Sequence, residues 1–144
     1  MLGRRGGALA FVSSKMNSKD YVRVLDDNVQ PFFEARRGQQ LVYQHDNALI
    51  HASAETKRFL RDKNINVFDW PACSPDLNPM ENIWGHIVRQ IYVGNRQYAS
   101  VNELKVAISE AWRELTLARL QNHVESMPDR IYEVIRSGGR AINY

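Results

Sequence analysis

Apolar positions along the chain first fall in short runs and later at helical spacing. Leu9 to Val12 is a brief apolar run between Gly6-Gly7 and Ser13-Ser14, which predicts a strand. Asn17 or Ser18 can then cap a helix in which Tyr21, Val24, Leu25 and Phe32 keep roughly helical spacing, until Arg36-Arg37-Gly38 ends it. Leu41 to Asp46 predicts a second strand with Asp46 at its C-terminal tip. Ser53 can cap the next helix, whose core face includes Phe59 and Leu60, and Ile65 to Phe68 predicts a third strand. Strands alternating with helices imply parallel pairing in an α/β sheet.

From Trp70 to Pro79 the texture changes: three prolines in ten residues exclude a helix or an inner strand and predict a rigid loop. The remainder reads as helical. Met80, Ile83, Trp84, Ile87, Val88 and Ile91 form one apolar stripe. Ser100 and Glu103 have the spacing of a capping box ahead of Leu104, Ala107, Ile108, Ala111, Trp112 and Leu115. Leu120, Val124 and Met127 follow. Pro128 is expected to open a last helix, with Ile131, Val134 and Ile135 inward and Gly138-Gly139 as its stop.

Composition narrows the class. The chain has 144 residues, enough for one domain, and its 44% apolar content supports a real core. A net charge of +3 and a pI of about 9.2 permit a nucleic-acid partner without requiring one. A single cysteine, Cys73, cannot form an internal disulfide and fits a reducing compartment. No apolar run is long enough for a membrane span. Met1 to Lys19 lacks acidic residues and places Arg4, Arg5, Lys15 and Lys19 among serines, a composition shared with organelle transit peptides. The strand-like run at Leu9 to Val12 argues against that reading.

Two places carry candidate chemistry. The first is Gln44-His45-Asp46-Asn47, followed by His51; an acidic residue at the C-terminal end of a parallel strand lies where open α/β sheets bind their ligands. The second runs from Ser74 to Trp84. Pro79 suits the first position of a helix, which sets Glu81 in the first turn on a backbone stiffened by the proline loop. Thirty-four residues separate Asp46 from Glu81. Each has a plain structural alternative. Asn78 and Glu81 have capping-box spacing, and a Glu there suits the helix dipole. Asp46 with Asn47 can simply end a strand and start a turn. His51 can cap or pack against the following helix, and a lone histidine is a poor magnesium ligand. Trp70, Trp84 and Trp112 read as core, and Asp69 and Asp76 as loop-ordering acceptors.

The strand-end Asp46-Asn47 with nearby His51, then Asp69-Trp70-Pro71, then Ser74-Pro75-Asp76-Leu77-Asn78-Pro79-Met80-Glu81-Asn82-Ile83-Trp84, resembles the second half of the catalytic core of mariner-superfamily transposases. The gap of thirty-four residues is similar to that of the Tc branch, and the resemblance runs from about Gly7 to Tyr144. It implies an α/β, RNase H-like fold, N-terminally truncated, with about residues 7–92 in the α/β core and 93–144 in a helical extension packed on it. It implies two magnesium ions, with manganese as a substitute, held by three acidic side chains. Asp46 would be the second of these and Glu81 the third. Asn47, His51, Asn78 and Asn82 would support the site or touch DNA. The family's first Asp would fall upstream of Leu9, so residues 1–144 by themselves are expected to be inactive. A sheet lacking its first strands would also uncover apolar surface around Leu9, Phe11, Val42 and Phe68. The implied partners are DNA, as transposon ends and target, and a second copy or a full-length transposase, in the nucleus. The competing reading is a non-catalytic relic that binds DNA or another transposase.

Overall fold

The computed structural model describes residues 9–71 and 74–142; Gly6-Gly7 and Cys73 lie outside the described residues. The chain divides into two compact units, one of Ala10–Cys73 and one of Ser74–Tyr144 with Met1–Leu9.

The first unit holds α1 (Ser18–Asn28), α2 (Gln30–Glu34) and α3 (Ala54–Asp62). Asn17, rather than Ser18, is the α1 cap: its side chain accepts from the Lys19 and Asp20 amides, and the Asp20 carboxylate returns to the Asn17 amide, completing a capping box. The single helix expected as far as Phe32 is interrupted at Val29. Pro31 has no N–H to offer the carbonyl one turn earlier, so the bond ladder breaks there. Tyr21 and Leu25 of α1 pack with Leu60 of α3 and with Ile65, while Phe33, Tyr43 and Phe59 close the edges. Ser53 caps α3 as expected, accepting from the Thr56 amide.

The strand expectations need correction. Leu9 to Val12 forms no strand among the described residues. The segments expected at Leu41 to Asp46 and Ile65 to Phe68 meet at one parallel bridge, Tyr43 to Val67. Tyr43 donates to the Asn66 carbonyl at 2.7 Å and accepts from the Phe68 amide at 2.8 Å, the slanted pattern of parallel pairing. Parallel direction was therefore read correctly and strand length was not. A strand exists through its partners, and alternation in one segment says nothing of how far the partner follows it. Around this bridge Val42 and Phe68 are exposed, as is Phe11, whereas Leu9 is half-buried.

In the second unit a 3-10 turn at Pro75–Leu77 leads into α4 (Pro79–Ile91), and a second turn at Val93–Asn95 leads to α5 (Val101–Arg113), α6 (Leu117–Glu125) and α7 (Met127–Arg136). Ile83, Ile87 and Ile91 of α4 face Ala107 and Ala111 of α5, whose small side chains let the two helices approach closely. The other half of the expected α4 stripe stays at the rim: Val88 is 51% exposed, and Trp84, 38% exposed, stacks on half-buried Trp112. Ser100 caps α5, but Glu103 returns to the Ala99 amide instead of the Ser100 amide, a displaced version of the expected box. The α7 expectation fails in a telling way. Ile131 and Ile135 are exposed, and the buried residue of that helix is Arg130. Gly138 and Gly139 do end α7: both take positive φ, and their amides return to the Ile135 and Val134 carbonyls.

Candidate active site

Beyond Tyr43 the chain leaves the bridge and reverses through a turn in which the His51 and Ala52 amides both return to the Ala48 carbonyl. Asp46 sits at the start of this turn. Its Oδ1 accepts the Ala48 N–H at 3.1 Å, the local turn its sequence suggested, and also a hydrogen bond from His51 Nδ1. The His51 ring lies 4.2 Å from the Tyr21 ring, centroid to centroid, so the imidazole is backed by the core of α1 and aimed at the carboxylate. His45 bonds through Nδ1 to the Asp46 carbonyl and stands edge-on to His51. Tyr21 and Tyr43 share a hydroxyl–hydroxyl bond of 3.1 Å behind the cluster. Burial is the main reason both phenols are pushed above their usual pKa, so both stay protonated and can donate.

Partial burial pushes the Asp46 carboxyl upward, but the Ala48 N–H, the His51 hydrogen bond and the nearby His51 and His45 charges outweigh it and hold it below the usual carboxylate range. Asp46 is thus an anion at neutral pH, with its side chain 61% exposed to solvent. His51 was expected to cap α3, pack its edge or support the site. Ser53 takes the cap, and His51 orients Asp46. Asn47 turns away from the carboxylate and donates to the Trp70 carbonyl at 2.6 Å, tying the turn to the segment after the bridge. A cavity of about 370 Å³ opens beside it, lined by His45, Asn47, Lys57, Arg61, Asp69 and Trp70 among others.

Glu81 belongs to the other unit. Asn78 is the N-cap of α4, and its Oδ1 accepts from the Met80 amide at 3.1 Å. A capping box would need the Glu81 carboxylate on the Asn78 N–H, but that N–H donates to the Pro75 carbonyl at 3.0 Å. Closure of the 3-10 turn has taken the donor, and the exposed Glu81 carboxylate has no hydrogen bond or ion pair among the described residues. Asn82 does not face outward with it: its Oδ1 accepts from Arg130 Nη1 at 2.7 Å. Asp76 orders its loop as expected, accepting the Ile142 amide on Oδ2.

Sequence reading missed two features here. Arg130 hides in an amphipathic stretch where the apolar residues drew attention. A cationic group on α4 and α6 also went unnoticed: Arg119 lies 3.3 Å from His86 Nδ1. Burial first, then the charges of Arg119 and Arg89, lower the His86 pKa, while His123 is lowered by burial and then by Arg130, Arg119 and His86. Residues on α4 and α6, with α5 between them in the chain, gave no local signal of meeting. Among the described residues no three His, Cys, Asp or Glu side chains gather as a ready metal site, and no helix is long and apolar enough to cross a membrane.

Comparison with known proteins bears on these groups. Residues 2–105 match the family model of the DDE superfamily endonucleases. The transposable element Tc3 transposase of Caenorhabditis elegans is 45% identical over 136 residues, covering 94% of this chain and 41% of that protein. The Tcb1 transposase of Caenorhabditis briggsae is 30% identical over 138 residues, covering 96% of this chain and 50% of that protein. The chain therefore spans half or less of these relatives. Among solved structures, the Mos1 transposase catalytic domain with raltegravir and Mn superposes with a TM-score of 0.80 at 18% identity, over 94% of this chain and 70% of that one. At that identity the likeness is one of fold, and the expected fold is that of this neighbour, although its sheet is represented among the described residues by the Tyr43–Val67 bridge alone. With most of its length matched by the family model, the chain belongs to the DDE superfamily endonucleases.

Proposed function

We propose that residues 1–144 are part of the catalytic domain of a DNA transposase, with 7–92 in its α/β core and 93–144 in a helical extension. The observation that carries this reading is the state of Glu81: a carboxylate on a proline-stiffened helix start, released from the capping bond that would otherwise explain it. Asp46 is the second acid, already ionised and oriented by His51 and the Ala48 N–H. Two exposed carboxylates suit a hard divalent cation that keeps most of its waters, and solved Mos1 structures are described with Mn and with Mg. Asp46 and Glu81 would hold the metal ions; when bound, these activate a water or a DNA 3′-hydroxyl and stabilise the leaving oxygen. The protein's own part is orientation. His51 fixes the Asp46 rotamer, Asn47 and Trp70 hold the turn that carries it, and Lys57 and Arg61 offer cationic contacts for phosphates beside it. Mos1 transposase has also been solved as a paired-end complex with the left transposon end, which supports transposon-end DNA as the partner class here.

A chimera tests the reading. Residues 1–144 replace the matching segment of the Tc3 transposase, and magnesium-dependent cleavage at transposon ends is measured. The chimera should cut, and Asp46→Asn and Glu81→Gln should each reduce cutting to background, while the 144-residue polypeptide alone stays silent. Cleavage that survives both substitutions would remove the metal-ligand assignment; a folded chimera that binds ends without cutting would favour the non-catalytic relic.

A further inference from the structure

Arg130 is 7% exposed, although it belongs to a helix whose apolar residues Ile131 and Ile135 lie in solvent. A buried guanidinium is held in place by what it bonds. Its Nε donates to Ser126 Oγ at 3.0 Å, which anchors it at the start of its own helix. Its Nη1 donates to the Asp76 carbonyl at 3.3 Å and to Asn82 Oδ1 at 2.7 Å. These acceptors bracket Glu81: Asp76 lies in the 3-10 turn before α4, and Asn82 is the residue next to Glu81 in its first helical turn. Past the other end of α7, the Ile142 amide donates to Asp76 Oδ2 at 3.2 Å. The loop is thus gripped from both ends of one C-terminal helix. The planar fork of an arginine can hold several acceptors in fixed directions at once, which a lysine cannot do.

We propose that α7 and the residues after it form a clasp that positions Glu81, with Arg130 as its central positioning residue. Asn82 serves as the handle by which the guanidinium sets the rotation of the first turn of α4, and so the direction of the neighbouring carboxylate. The first turn of any helix is where its bond ladder is incomplete and its ends fray. Pro79 stiffens entry to that turn, and Arg130 prevents it from rotating. On this account the C-terminal helices are part of the active-site apparatus, acting through the loop that carries Glu81. The inference rests on Glu81 being a metal ligand for its functional meaning, whereas the clasp itself is a matter of geometry.

The test uses the full 144-residue chain with Arg130→Met, which keeps bulk and removes the donors, together with Arg130→Lys, Asn82→Ala and Glu81→Gln. Amide exchange is followed at Leu77, Asn78 and Glu81, whose N–H groups close the loop, and at Ile87 and Ile91 in the middle and last turn of α4. Mn²⁺ alone is titrated by electron paramagnetic resonance. Arg130→Met and Asn82→Ala should speed exchange at the loop amides and leave Ile87 and Ile91 protected, and Arg130→Lys should restore protection only in part. Mn²⁺ affinity should fall by about tenfold or more in Arg130→Met, the usual scale for removing a group that orients a ligand. If Arg130→Met instead opens Ile87 and Ile91 equally and leaves Mn²⁺ affinity of the folded chain unchanged, Arg130 is a general stabiliser and the clasp is wrong. Unchanged loop exchange overturns it as well. The Glu81→Gln control separates the two layers: if it leaves Mn²⁺ affinity at the wild-type value, the metal-ligand assignment fails, while the exchange data still decide the clasp.

Discussion

Thr56 connects stability to the orientation of Asp46. It is completely buried, its hydroxyl donates to the Ile50 carbonyl at 2.7 Å, and it accepts from Ser53 Oγ at 3.0 Å. Ile50 precedes His51, so this bond anchors the turn from which His51 reaches Asp46. Thr56→Val keeps the volume and branching but deletes the hydroxyl, leaving the Ile50 carbonyl and the Ser53 hydroxyl without that partner. Leaving such groups unsatisfied costs about 1–3 kcal/mol. Against a total of ~5–15 kcal/mol this is a large share. At roughly 4 °C per kcal/mol for a chain of this length, the melting temperature should fall by about 4–12 °C. Urea unfolding followed by circular dichroism gives the energy, with Thr56→Ser as the control that retains the hydroxyl. A second readout is the Asp46 carboxyl titrated by NMR. His51 helps to lower it, so a loosened turn should let it rise toward the ordinary value. Because the folded-state pKa is depressed, the stability Asp46 contributes is present above its unfolded value and lost as pH falls through the folded one. Solvent screening at this exposed side chain keeps that contribution small. If Thr56→Val stays within about 0.5 kcal/mol of wild type, the range of an unremarkable surface change, and Asp46 titrates as before, the anchoring argument is refuted.

Ile87, 1% exposed between α4 and α5, should cost about 2–5 kcal/mol as Ile87→Ala and about 0.5–1.5 kcal/mol as Ile87→Val in urea unfolding; equal effects would mean the helix pair collapses around the gap. His86 should titrate by NMR below the ordinary value of about 6.5, and Arg119→Gln should raise it. The neutral form is the favoured one, so its contribution to stability is complete above about 6.5 and lost as pH falls toward the folded value; a midpoint at or above 6.5 contradicts the repulsion. Replacing Lys57 and Arg61 by Gln in the chimera should weaken end binding and reduce the salt slope by about 2, since each phosphate contact contributes roughly 0.9, and an unchanged slope would move the DNA path elsewhere.

Helices were legible in the sequence wherever their determinants are local. Asn17, Ser53, Asn78 and Ser100 each cap the helix that follows them, and Gly138-Gly139 ends α7, because a cap needs only its own few neighbours. Periodicity was a weaker guide to burial. It ranked Ile83, Ile87 and Ile91 correctly but treated Val88, Ile131 and Ile135 alike, and all three lie in solvent. A stripe on a helix states which residues share a face. How wide a strip of that face is covered depends on the partner helix, and Ala107 and Ala111 make the covered strip of α4 a narrow one.

The candidate site shows the same division between local and distant causes. Spacing alone could not separate a capping Glu81 from a ligand Glu81, because both need an acid three residues after Asn78. What separates them is the destination of one N–H. Asn78 gives it to Pro75, and it can do so because the residues between fold into a 3-10 turn, which Pro75 favours at its first position. The proline-rich loop therefore does more than stiffen the approach: by accepting the cap donor itself, it leaves the carboxylate uncommitted. Arg130 lies forty-eight residues beyond Asn82, and nothing in the α7 sequence marks it as different from Arg119 or Arg136. It is buried where it meets acceptors supplied by another part of the chain, among them the Asp76 carbonyl and Asn82 Oδ1. The same motif that identified Glu81 thus contained two of its positioning contacts, and only the fold could show what they were contacts to.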